Sequence, residues 1–210
     1  MFITFEGLDF SGKSTQIKLL ADRLHSTGHH VLVLREPGGT LVGEKIRSIL
    51  LDPQFVGMTA VGEFFLFSAS RAQLVENIIR PELAAGTVVI CDRFYDSSTA
   101  YQGYGRGIPL EAIRTVNQLA TAGLVPDLTF FIDIPTQEVE RRIRERKEGK
   151  DRMESSGTAF YERVRQGYLK LASEEGRFRV LDGMQSIDQV HAAVWSAVST
   201  LRHQQTNQYR

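Results

Sequence analysis

One cysteine, no net charge and no long apolar run: each shortage in this chain closes a route. The single Cys91 among 210 residues excludes an internal disulfide framework. Its place after the apolar run Thr87-Val88-Val89-Ile90 marks it as a buried strand residue. Basic residues number 25 and acidic residues 25, so bulk charge favours neither nucleic acid, nor a membrane surface, nor a disordered tail. No apolar run approaches the ~18 residues needed to span a bilayer, and strand-like residues begin at position 2, leaving no room for a signal segment. The expectation is a soluble, cytoplasmic protein. The five histidines (His25, His29, His30, His191 and His203) lack the spacing of metal ligands. Repeats and linkers are lacking too, and the length suits one domain, 1–210, with one core.

What is present begins at Gly7. Residues Gly7 to Thr15 read GLDFSGKST and fit G-x-x-x-x-G-K-[ST], the phosphate-binding loop. Such a loop needs glycine where backbone N–H groups turn inward, and a helix behind it whose N-terminus attracts anions. The flanks comply. Phe2-Ile3-Thr4-Phe5 reads as a strand, and Ile17, Leu20, Ala21 and Leu24 recur at helical spacing. In that setting the backbone of Gly7, Leu8, Asp9, Phe10, Ser11, Gly12 and Thr15 cradles the α- and β-phosphates. Lys13 reaches the β- and γ-phosphates, and the Ser14 hydroxyl sits on Mg²⁺.

Further along, Val31 to Leu34 reads as a buried second strand and Thr87 to Cys91 as a third, ending at Asp92-Arg93. An acid at that strand tip either completes the Mg²⁺ shell or simply caps the turn. Met58 to about Ile79 carries Phe64, Phe65 and Phe67, most of them expected in the core with one left to line a pocket. Phe94 to Gly107, punctuated by three glycines, reads as a long functional loop. Strands at 128–134 and 178–181 alternate with helices, and the tail after His203 reads as frayed. The fold class is α/β: a five-stranded, largely parallel sheet with helices on both faces.

From Glu140 to Arg152 seven basic residues stand among four acidic ones. This is either a solvated helix laced with ion pairs or, because Gly149 interrupts it, a basic flap at about 144–153 that closes over phosphates. Arginines also gather on segments facing one sheet edge: Arg35, Arg47, Arg71, Arg93 and Arg106. That pattern suits two phosphorylated ligands meeting head to head. No N-K-x-D guanine-reading motif is present.

FEGLDFSGKSTQ, REPGGT, LFSASRAQLV, DRFYDSSTAYQGYGRG, PDLTFFIDI and DRME, in that order, resemble bacterial thymidylate kinases over nearly the whole chain. The resemblance implies a P-loop NTPase fold, a homodimer, and phosphorylation of dTMP by ATP with Mg²⁺, without nucleic acid or membrane as partner. It implies catalytic roles for Asp9, Lys13, Arg93, Arg146 and Arg152, with Asp9 meeting the acceptor sugar 3'-hydroxyl. Arg93 matches the holder of the dTMP phosphate, with Arg35 and Arg47 as weaker candidates. Arg71 matches the thymine-reading arginine and Phe67 the stacking ring. Ser97, Ser98 and Gln102 correspond to polar contacts around the base, and Tyr101 to the ring that disfavours a 2'-hydroxyl. Ser14 and Asp92 are the implied Mg²⁺ ligands. Phe10 stands where the family often has Gly, and a compatible φ is expected for it; Phe94 replaces a tyrosine. A deoxynucleoside kinase, or a nucleotide-binding protein without transferase activity, are the rival readings.

Overall fold

The computed structural model describes residues 1–55, 57–145, 152–153 and 157–208. Five strands, β1 (Phe2–Glu6), β2 (Val31–Arg35), β3 (Val88–Asp92), β4 (Leu128–Asp133) and β5 (Phe178–Asp182), form one sheet in the order β2-β3-β1-β4-β5. Every pairing is parallel. Parallel neighbours need crossovers, which the intervening helices supply. The principal ones are α1 (Lys13–Ser26), α2 (Leu41–Leu51), α3 (Ala60–Leu74), α4 (Arg80–Ala84), α5 (Tyr95–Ser98), α6 (Leu110–Thr121), α7 (Thr136–Glu145), α8 (Thr158–Glu174) and α9 (Ile187–Gln208).

Strand alternation decides which side chain meets which helix layer. Ile3 and Phe5 of β1 join Ile90, Phe130 and Ile132 against Leu20 and Leu24 of α1 and Val194 and Val198 of α9. On the opposite face Phe131 packs with Val164 and Tyr168 of α8, while Phe2, Val89 and Cys91 pack with Leu74, Ile79 and Phe94. Both faces are therefore covered, as a parallel sheet requires. β1 is central, and its register pairs Phe5 with Asp92, which sets the end of β3 beside the loop that follows β1. Ligand crevices in open α/β sheets form at such carboxyl ends.

Four expectations change. β2 is an edge strand, only partly buried, with Val33 46% exposed; an apolar run does not reveal strand order. Of the three phenylalanines only Phe64 is in the core, whereas Phe65 is 56% exposed and Phe67 half-buried. Residues 95–105 are helical, α5 running into a wide turn at Thr99–Gly105, because the glycines there serve as contact surfaces. A Cβ on Gly103 would lie 2.8 Å from Leu110, and one on Gly105 2.7 Å from Phe160. Finally, α9 continues to Gln208, so the polar tail is helix.

Candidate active site

The loop after β1 adopts its shape through three special backbones. Gly7 has φ 140°, and a Cβ there would stand 2.6 Å from the carbonyl oxygen of Ile132. Gly12, at φ 99°, caps the N-terminus of α1. Phe10 has φ 63°, so the expectation of a φ compatible with a side chain at this position is overturned. The turn imposes the left-handed conformation whichever residue occupies it, at a cost of about 1–2 kcal/mol for a residue with a Cβ. Arg142 of α7 donates from Nη1 to the Phe10 carbonyl oxygen at 2.6 Å, which fixes that turn from outside.

Lys13 folds back over the loop, its Nζ donating to the carbonyl oxygens of Leu8 (2.9 Å) and Gly7 (3.2 Å). Burial, then the neighbouring Arg93, bring its ammonium down to about 8. The Ser14 hydroxyl donates to Asp92 Oδ2 at 3.3 Å. Two adjacent oxygen ligands fit a hard cation such as Mg²⁺, which keeps water and phosphate oxygens for its other positions. Among the described residues no cluster of three His, Cys, Asp or Glu side chains could hold a metal by itself. The loop from Asp9 to Thr15, with Asp92 and Arg142, lines a cavity of about 700 Å³.

A narrower cleft of about 120 Å³ shares Asp9, Glu36, Arg47 and Arg93 with that cavity and adds Phe67, Ser97, Ser98, Tyr101 and Gln102. Arg93 joins the two. Its backbone is left-handed at φ 71°, which turns the side chain back across the loop. Nη1 donates to the Gly7 carbonyl at 2.7 Å; Nη2 donates to Asp9 Oδ1 at 2.7 Å and to the Tyr101 hydroxyl at 3.3 Å. Burial works to raise the Asp9 carboxyl, yet Arg93 and Lys13 hold it below the usual carboxylate range. Arg35 and Arg47 both donate to the Pro37 carbonyl, and Arg35 pairs with Glu44 at 3.1 Å. Arg35 lines the larger cavity but not the cleft.

Arg71 stands behind the cleft wall, 1% exposed. Its Nε donates to Glu36 at 2.8 Å, Nη1 to Asn117 Oδ1 at 3.1 Å and Nη2 to Ser98 Oγ at 3.0 Å. Burial pushes the Glu36 carboxyl up to about 7 against the pull of Arg71, and Glu36 Oε1 has no hydrogen-bond partner among the described residues. Gln102 donates to Glu63 at 2.9 Å. Arg152 is 8% exposed; it donates to Glu63 at 2.6 Å and to the Leu50 carbonyl at 2.7 Å, and it lines neither cavity. Its neighbour Met153 lines the cleft. Arg146, and residues 146–151 of the expected flap, lie outside the described residues.

Three participants escaped the sequence reading. Glu6 ends an apolar strand with a charge, a signal that could have been noticed. Arg142 was visible only as part of a basic run. Tyr168 carries no local mark at all; it reaches Glu6 from 162 positions away.

A family model described as thymidylate kinase matches residues 5–194. A thymidylate kinase of Chlorobium luteolum is 51% identical over 203 residues, covering 92% of this chain and 94% of the relative. One of Thermosipho africanus is 50% identical over 198 residues, covering 94% and 97%. The crystal structure of thymidylate kinase from Ehrlichia chaffeensis aligns with a TM-score of 0.77 at 38% identity, covering 95% of this chain and 98% of that one.

Proposed function

Because the chain belongs to the thymidylate kinase family, we propose that the larger cavity takes ATP, the cleft takes dTMP, and Arg93 with Asp9 governs their meeting. The reaction itself is transfer of the γ-phosphoryl group of ATP to dTMP, giving dTDP and ADP with Mg²⁺. A dTMP phosphate oxygen attacks the γ-phosphorus in line, and the bond to the β,γ-bridging oxygen breaks with its electron pair leaving on ADP. No general base is needed, since a phosphate with a second pKa near ~6 is already deprotonated at neutral pH. The chain's part is positioning and charge stabilisation.

On this reading the residues from Gly7 to Thr15 hold the ATP phosphates, and Lys13 follows the charge developing on the transferred group. Ser14 and Asp92 hold Mg²⁺, which neutralises charge on the β- and γ-phosphates when bound. Arg93, aided by Arg47 and more distantly by Arg35, receives the dTMP phosphate. Displaced from Arg93, Asp9 accepts the 3'-hydroxyl. Phe67 stacks on thymine, and Ser97, Ser98 and Gln102 supply polar contacts around it. Tyr101 closes the sugar side, and Arg71 reads the base through the wall it shares with Ser98. The single observation that carries this is Arg93, whose guanidinium touches the phosphate loop at Gly7 and Asp9 and the cleft at Tyr101.

Residues 144–153 take the part of a basic flap on the one catalytic domain, with Arg146 and Arg152 stabilising transition-state charge; to do so Arg152 leaves Glu63. If both alanine variants keep normal kcat, that assignment fails. A homodimer is supported by the exposed apolar side chains Val42 and Ile49 on α2 and Val61 and Phe65 on α3; a monomeric sedimentation coefficient would dismiss it. No described helix is long and apolar enough to cross a membrane, and we place the enzyme in the cytoplasm with its nucleotide substrates. The deciding assay is ADP release from ATP with dTMP, dUMP, dCMP, AMP or thymidine offered singly. Turnover with dTMP and, more weakly, dUMP is expected; turnover with thymidine would make the acceptor a hydroxyl and overturn the assignment.

A further inference from the structure

The last residue of β1, Glu6, has a fully buried carboxylate whose hydrogen bonds, among the described residues, run to the acceptor side. Oε1 accepts the Phe94 backbone N–H at 2.7 Å. Oε2 accepts the Ser97 hydroxyl at 2.6 Å and the Tyr168 hydroxyl at 2.8 Å. These three donors surround Arg93: Phe94 follows it in the left-handed turn, while the Ser97 and Tyr168 oxygens stand 3.3 and 3.4 Å from its Nη1. Asp96, the other buried carboxylate here, is taken by a two-point pair with Arg177 at 2.7 and 2.8 Å. Among the described residues no cation is bonded to Glu6 directly, and it meets Arg93 through the two hydroxyls. The Ser97 and Tyr168 oxygens also stand 2.8 Å apart, so their two protons serve three contacts; a carboxylate only accepts hydrogen bonds, so it draws these protons toward itself and leaves hydroxyl lone pairs toward the guanidinium. Burial, then the charge of Asp96, push the Glu6 carboxyl up to about 7 against the pull of Ser97, Arg93 and Tyr168.

We propose that Glu6 is a positioning residue for the acceptor phosphate: it fixes the left-handed turn at Arg93 and orients the Ser97 and Tyr168 hydroxyls that share its guanidinium. The inference rests on the assignment of Arg93 to the dTMP phosphate. It predicts a selective effect, because the ATP loop keeps its own glycines, Lys13 and the bond from Arg142, and leans on Arg93 only at the Gly7 carbonyl and Asp9.

Glu6→Gln keeps the volume and one acceptor but replaces Oε2 by an NH₂ group that donates to both hydroxyls and turns their protons toward Arg93. Its KM for dTMP is expected to rise about tenfold, the scale of one lost charge-assisted hydrogen bond, with KM for ATP within about twofold. Tyr168→Phe removes one donor while retaining the ring stacked on Phe131 at 5.0 Å, and a rise of about threefold in the dTMP KM alone is expected. If Glu6→Gln does not fold, the tyrosine variant decides. Equal rises in both KM values, or no change in a folded variant, would overturn the proposal. Arg93→Lys separates the two levels of the argument. A raised dTMP KM there with a normal one in Glu6→Gln defeats only the role of Glu6, whereas a normal dTMP KM in Arg93→Lys defeats the assignment beneath it as well.

Discussion

The halves of the site assigned to donor and acceptor are built from different materials. The half assigned to the donor is one continuous loop from Gly7 to Thr15, shaped by backbone conformation. The acceptor half is a mesh of buried charged and polar side chains drawn from the end of β1, the turn after β3, α3, α6 and α8. A loop of backbone donors tolerates substitution at its variable places. A mesh of buried charges does not, because removing one partner leaves another uncompensated in a medium that solvates it poorly. The two halves are thus expected to fail in different ways.

The sharpest break is Arg71→Leu. It strands the buried Glu36 and leaves Asn117 Oδ1 and the Ser98 hydroxyl without their donor. A loss of about 3–5 kcal/mol is expected in urea unfolding, alongside weaker dTMP binding. Weak dTMP binding with unchanged stability would instead make Arg71 a pure ligand contact and dissolve the contrast.

A smaller effect comes from pH. The Glu6 and Glu36 carboxyls sit near 7 in the folded chain against 4.5 unfolded, with burial the main cause in both. Each holds its proton more tightly when folded. Its contribution is therefore complete below about pH 4.5 and lost as pH rises toward 7. Other carboxylates work oppositely: Asp9 and Glu63 are held low and lose stability on acidification. The difference between wild type and Glu36→Gln isolates one group. Across that window wild type is expected to lose about 3 kcal/mol relative to the variant, read from urea midpoints at successive pH values. A flat difference would mean that the Arg71 pair outweighs burial.

The smallest effect belongs to the donor half. Phe10→Gly removes the Cβ cost of the left-handed turn but adds backbone freedom to the unfolded chain, so a change within about 1 kcal/mol is expected. A thermal unfolding series checks it. A loss of several kcal/mol would show that the phenylalanine ring, rather than the loop backbone, holds this half together.

The same division explains what could be read before any coordinates. The phosphate loop was legible because glycines at fixed spacing report backbone geometry directly. Asp92 was legible because a strand tip in a parallel sheet points at the crevice. Arg93 and the residues around the cleft came from a resemblance spread over six motifs, and the structure gathers most of them around one opening. The mesh itself was not legible, since nothing local connects Glu6 to Tyr168, or Asp96 to Arg177. Gly103 and Gly105 misled for a related reason: composition cannot distinguish a glycine that bends the chain from one that lets a leucine or a phenylalanine approach it.

The pair between Arg93 and Asp9 also bears on competition inside a cell. With its guanidinium already engaged by Asp9 and the Gly7 carbonyl, Arg93 offers little to a stray anion, which would have to displace the carboxylate and give it nothing in return. A nucleotide displaces Asp9 with its phosphate and, under the assignment above, satisfies it with its 3'-hydroxyl. Inorganic phosphate should compete weakly, and a 3'-deoxy analogue of dTMP should lose more than one hydrogen bond's worth of affinity. Inhibition curves for the two would expose the exchange directly.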